Sequence, residues 1–301
     1  MEVESYRADM RSLYATTAYA DAFGIGSIDV EEWQTALLVR PIPGSKWFDA
    51  LGCYPLAVFG QNVDLRAGLE RLRRADLVSV ALVPDPLTGP SHAALADAFM
   101  ICRPFKTHYL IDREAGPVRF ARTHRRMIRK ALKNCTFGPV DLLETLGDWQ
   151  KLYAHTVARH GVTGIQNFAP SYFKELAKMP DVIALAAQRH GQIVAMILWV
   201  RSGDIVYAHL EGSSLEGHKT QAIYGIFAAA NEYFSGCRII HFGGTAGLDA
   251  DEGDGLAYFK RGFANREVTS YFCGCCLDAD RYAVLTGDRA QTSFFPAYRQ
   301  P

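Results

Sequence analysis

The sequence predicts an α+β protein built from two domains, and three observations carry this. The chain has 301 residues, more than one compact core ordinarily spans and enough for two domains of roughly 130–150 residues each. Its second half runs helix pair, three-strand meander, helix, strand, helix, strand, an order that builds a largely antiparallel sheet with helices on its faces. Near residue 140 the composition turns basic and then Gly/Pro-containing, which places the boundary there and gives domains 1–140 and 141–301.

In the first half, residues 4–20 read as helical, and WQTALLVRPI (33–42) as a strand closed by prolines. Residues 64–75 set Leu65, Leu69 and Leu72 at helical spacing. DLVSVALVPDP (76–86) is a short apolar run stopped by prolines, hence a buried strand, and KTHYLID (106–112) is another strand. RFARTHRRMIRKALKN (119–134) is a basic helix, and TFGPVDLLETLGD (136–148), with Gly138-Pro139 and Gly147, reads as a connection.

The second half begins with helices over 148–160 and 169–179, with Gly161 as a C-terminal stop. Strands over 182–188, 192–200 and 204–212 follow, separated by His190-Gly191 and Ser202-Gly203 turns. A helix (220–234), a strand (238–244), a helix near 255–263 and a last strand (267–276) complete the pattern.

Lys plus Arg and Asp plus Glu are 32 each, so bulk charge recruits no partner and a polyanion needs a local patch. Hydrophobic residues at 49% and charged residues at 21% describe a folded chain. The start, MEVESYRADM, lacks the apolar core of a secretory signal, and no apolar run reaches the roughly 20 residues that span a bilayer. Seven scattered cysteines are not a secreted disulfide framework; a cytoplasmic setting is expected. Cys273-Gly274-Cys275-Cys276 has no second cysteine pair to complete a zinc site, so buried strand cysteines are expected and no metal.

Strand DIVYAHLEG, alternating with period two, sets Val206, Ala208 and Leu210 on one face and Tyr207, His209 and Glu211 on the other. That second face offers a general base for an incoming amine, with His209 and Glu211 as candidates. RIIHFGG places His241 opposite Ile240 and Phe242 and ends in Gly243-Gly244, whose N–H groups can hold a carbonyl oxygen in an acyl-transfer transition state. An acidic glycine loop then leads into Phe259-Lys260-Arg261-Gly262-Phe263. Phe259 and Phe263, at i and i+4, anchor the helix and leave Lys260 to meet developing negative charge. Arg159-His160-Gly161 marks a polar hinge of the kind that lines acceptor pockets. Arg125, Arg126, Arg129 and Lys130 sit on a helix basic enough to track phosphates.

The strand ending His241-Phe242-Gly243-Gly244, the loop after it and Phe259-Lys260-Arg261-Gly262-Phe263 resemble the C-terminal signature of FemAB-like transferases. The run from Arg125 to Ala131 resembles that family's Arg-rich segment, and the likeness covers about residues 105–276. It implies two tandem domains of the general N-acetyltransferase (GNAT) fold, the first for acceptor binding, the second for donor binding and transfer. It also implies peptide-bond formation: an amino acid passes from charged tRNA, a co-substrate rather than a cofactor, to the amine of a peptide or small-molecule acceptor. Lys260 matches the lysine at the donor end, with Tyr207, Phe259, His241, Gly243 and Gly244 around the substrate. The coiled-coil arm of some members is absent. Acyl-coenzyme A is the alternative donor, but Ser213–Thr220 has one glycine, and Glu216 would repel a pyrophosphate. A protein that binds RNA or a peptide without chemistry is the other reading.

Overall fold

The computed structural model describes residues 11–161, 167–245, 255–287 and 293–300. The chain divides into two compact units, a terminal unit of Tyr14–Lys106 with Thr269–Pro301 and a middle unit of Met1–Leu13 with Thr107–Val268. The cut expected near residue 140 falls inside the middle unit. The composition shift there marks a basic helix followed by a strand, and no linker: Thr136–Val140, expected as a connection, pairs antiparallel with the strand over 182–189. It is an edge strand, where Pro139 can sit without costing a ladder bond.

The terminal unit contains α1 (Thr17–Asp21), β1 (Gly26–Val30), β2 (Thr35–Pro41), β3 (Phe48–Gly52), α2 (Leu65–Arg74), β4 (Leu77–Leu82) and α3 (His92–Ala98). The helix expected over 4–20 is shorter where described, because Thr16 caps a fresh start by accepting from Tyr19 N–H; residues 4–10 lie outside the described part. β1, β2 and β3 form an antiparallel meander, β3 and β4 run parallel, and β4 pairs antiparallel with residues 273–276. Leu65, Leu69 and Leu72 of α2 are buried as their spacing predicts, in a core with Trp33 and Phe99.

The middle unit receives the end of β5 (Ile101–Asp112) and contains α4 (Arg122–Asn134), β6 (Thr136–Val140), α5 (Leu146–His160), α6 (Pro170–Leu176), β7 (Val182–Arg189), β8 (Gln192–Ser202) and β9 (Ile205–Ser213). Then come α7 (Leu215–Thr220), α8 (Ala222–Tyr233), β10 (Ile239–Gly244) and α9 (Gly255–Arg261). β11 (Arg266–Cys276) returns the chain to the terminal unit and α10 (Ala279–Thr286). β6 to β9 form an antiparallel meander, β9 and β10 are parallel, and β10 pairs antiparallel with β5. Both units thus run meander, parallel step, antiparallel strand. In the middle unit, Trp199, Val206, Ile240 and Phe242 of the sheet form one core with Phe227 of α8 and Ile128 of α4. Gly212 of β9 lies directly against Leu152 and Tyr153 of α5.

Candidate active site

Two strand irregularities shape the site. β9 and β10 pair in parallel from Ile239↔Ile205 only as far as His241↔Tyr207. β9 then bulges: Trp199 of β8 faces Ala208 while Leu198 faces Leu210, so His209 is an extra residue, and a bulge bends its strand and increases the twist. β10 loses register with β5 between His241 and Gly244, where Gly243 takes φ +79°, a conformation open to glycine without steric cost.

Lys260 of α9 meets β10 at this point. Its Nζ donates to the Gly244 carbonyl at 2.6 Å, and a Cβ on Gly243 would lie 3.3 Å from the same nitrogen. Beneath the turn, His241, 2% exposed, accepts the Gly243 N–H at Nδ1 (3.3 Å). Its Nε2 lies 3.0 Å from Nδ1 of buried His108. With Nδ1 accepting, neutral His241 carries its hydrogen on Nε2 and donates it to His108. Burial, reinforced by His108 and Lys260, holds the His241 pKa well below its ordinary value. The Gly243 N–H, expected as an oxyanion donor, is therefore aimed at His241. His108 carried no sequence signal, since its partner lies 133 residues away.

The expected polar face of β9 is only partly assembled. Tyr207 is buried with its ring centroid 5.1 Å from that of His241. His209 is pinned by Tyr172 of α6, whose hydroxyl lies 2.8 Å from Nε2, and burial drives its pKa down to about 3. So weak a base is poorly matched to proton removal near neutral pH. Glu211, past the bulge, stands opposite Ile197, a residue of the α8-side core. Cross-strand partners project from the same face, so the extra residue moves Glu211 away from Tyr207. Simple alternation failed because one inserted residue reverses every face beyond it.

Phe259, expected at the substrate, instead anchors α9. Its ring centroid lies 4.8 Å from Tyr224, 4.9 Å from Phe227 and 5.2 Å from Phe263. On α4, Arg122, Arg125, Arg126, Arg129 and Lys133 recur at i, i+3, i+4, i+7 and i+11, with Lys130 beside them, and all are exposed. None of the six has an ion-pair partner among the described residues. Arg159 donates to His218 Nε2 of α7 at 2.7 Å. The side chain of His160, residues 162–166 and residues 246–254 of the acidic glycine loop lie outside the described part.

In the segment considered for a pyrophosphate, Ser214 Oγ accepts the Gly217 N–H at 3.1 Å and the Ser214 carbonyl accepts the His218 N–H at 3.0 Å. Glu216 is paired with Arg189, so the repulsion expected of its charge is largely neutralised. Cys273 and Cys275 are buried on β11.

No family model and no curated protein matches the chain. Solved structures do. FemX superposes with a TM-score of 0.65 at 15% identity, over 90% of this chain and 94% of that one. The DUF2156 C-terminal domain assigned to a lysylphosphatidylglycerol synthetase from Agrobacterium fabrum superposes at 0.62 and 14%, over 89% and 88%. L-PGS from Bacillus licheniformis does so at 0.60 and 12%, over 90% and 95%. The chain has the fold of FemX and of these two synthetase structures, as the FemAB-like resemblance of its β10 and α9 residues implied.

Proposed function

We propose that this protein is an aminoacyltransferase that moves an amino acid from charged tRNA to the amine of a peptide or small-molecule acceptor. The observation that carries the reading is Lys260, whose ammonium is held against the Gly244 carbonyl beside His241. The amine nitrogen attacks the ester carbonyl, the C–N bond forms, the C–O bond to the ribose breaks, and the amine's proton ends on the departing ribose oxygen. Negative charge builds first on the carbonyl oxygen and then on the ribose oxygen. A fixed cation beside either one stabilises the transition state.

The fold likeness supports acyl transfer in general, because one neighbour is assigned to a synthetase whose name joins a lysyl group to a lipid. The cation stripe of α4, without ion-pair partners among the described residues, supports an RNA donor. We assign donor and chemistry to the middle unit and acceptor recognition to the terminal unit. No described helix is long and apolar enough to cross a membrane.

Acyl-coenzyme A is the second reading. The Arg189–Glu216 pair favours it by removing the anionic barrier; the N–H groups of Gly217 and His218, already engaged by Ser214, weigh against it. The protein is incubated with labelled, charged tRNA or with acyl-coenzyme A, plus amines. Product that disappears on RNase treatment is the expected result. Product only from acyl-coenzyme A overturns the donor, and RNA binding with no product from either leaves a binding module.

A further inference from the structure

We infer that His124 is a positioning residue that ties the basic face of α4 to the lysine of α9, so that a polyanion held on α4 sets the placement of Lys260. The inference rests on the transfer reading above and adds a regulation to it.

His124 is the anomaly of its helix. It is fully buried in a run whose neighbours Arg122, Thr123, Arg125 and Arg126 are all exposed. Its Nε2 lies 2.8 Å from the carbonyl of Phe259, the residue before Lys260. A carbonyl only accepts, so Nε2 carries the hydrogen, and Nδ1 accepts from Thr123 Oγ1 at 3.3 Å. The same Thr123 hydroxyl lies 3.0 Å from the Tyr258 hydroxyl, and Ala121 N–H donates to the Gly262 carbonyl at 2.9 Å. Three α4-side residues thus grip Tyr258, Phe259 and Gly262, on either side of Lys260. Rings complete the socket: Tyr224 and Phe263 lie 5.1 and 4.8 Å from the imidazole.

Gly262 shows how tight the socket is. A Cβ there would fall 2.1 Å from His124 Cε1, so the imidazole occupies the space a side chain at 262 would need. α9 is therefore held on one flank by α4 and on the other by Lys260 on Gly244. Arg125 and Arg126 follow His124 directly, and phosphates gathered on them pull on the peptide that holds it. A shift of α4 is carried to the Phe259 carbonyl and so to the next residue, through contiguous hydrogen-bonded and packed groups.

Two variants test this. His124→Phe keeps a ring and loses the donor; His124→Gln keeps a donor where Nε2 stands. Both should bind uncharged tRNA with wild-type affinity and salt dependence. His124→Phe should lower kcat roughly 10- to 100-fold, the scale of a misplacement of about 1 Å, with KM for charged tRNA unchanged, and His124→Gln should restore most of it. A second readout needs no turnover: acylation of Lys260 by an amine reagent, mapped by mass spectrometry. Uncharged tRNA should change that rate in the wild type and leave it unchanged in His124→Phe. Should His124→Phe not fold, His124→Ala with Gly262→Ala refills part of the socket without the donor, and it should show the same loss. A tRNA response retained in the donor-less variant overturns this inference alone. No tRNA response in a wild type that binds tRNA likewise overturns this inference alone, whereas a wild type that binds no tRNA overturns the RNA-donor reading with it.

Discussion

Lys260 Nζ donates to the Gly244 carbonyl, which fixes the ammonium at the β10 turn, where it acts as a positioned cation for a reacting oxygen. Lys260→Ala should therefore lower kcat more than it raises KM, by about 10²–10³-fold, equivalent to about 2.7–4 kcal/mol. Lys260→Arg should recover little, because a planar guanidinium does not reproduce a compact ammonium in that space. Steady-state kinetics with charged tRNA check both; a fully active Lys260→Ala removes the lysine from the chemistry. A second prediction concerns the buried histidines. His209 has a pKa of about 3 in the fold against 6.5 unperturbed, so the unfolded chain takes up the proton first. Its contribution is intact above about pH 6.5 and is lost as pH falls toward 3, at up to about 1.4 kcal/mol per pH unit. His124 and His241 shift in the same direction. Denaturation midpoints between about pH 7 and 4 should fall, and His209→Gln should flatten that slope; an unchanged slope refutes the assignment.

At the scale of elements, the bulge in β9 and the stripe on α4 make separate claims. Because His209 is an inserted residue, Glu211 leaves the face of Tyr207 and His241. Glu211→Ala should leave kcat intact, and a loss near that of Lys260→Ala would return it to the mechanism. Reversing Arg125, Arg126 and Arg129 to Glu should weaken tRNA binding and flatten its dependence on salt, by up to about 0.9 in log–log slope for each phosphate no longer neutralised. Binding titrations at several salt concentrations read both. The basic helix is legible in the sequence because its charges are contiguous. The bulge is not, since DIVYAHLEG alternates as well as any regular strand and only the ladder to β8 exposes the extra residue. The spacing of Phe259 and Phe263 marks them as a helix anchor, while the rings that pack against Phe259, Tyr224 and Phe227, lie on α8 more than thirty residues earlier.

At the scale of the molecule, one strand order is used twice without any repeat visible in the residues. The terminal unit closes on a segment remote in sequence: Arg299 and the Tyr298 hydroxyl both bind Asp49, which is fully buried and otherwise held by Arg40. Deleting residues 294–301 should leave that carboxylate under-compensated and cost about 3–5 kcal/mol, read as a lower denaturant midpoint. A truncated chain as stable as the full one would show the clamp to be dispensable.

By itself the sequence determined the α+β class, most helices and strands of the middle unit, and the phenylalanine pair that anchors α9. These are written in local periodicity and short motifs, and a helix face or a glycine turn is specified by residues a few positions apart. The tertiary structure alone decided where the units divide, that β6 is a strand, that His108 lies under His241, and that His124 fills the space Gly262 leaves open. Each of those is a pairing between segments that meet only when the sheet is assembled, and no local pattern encodes which distant residue will arrive.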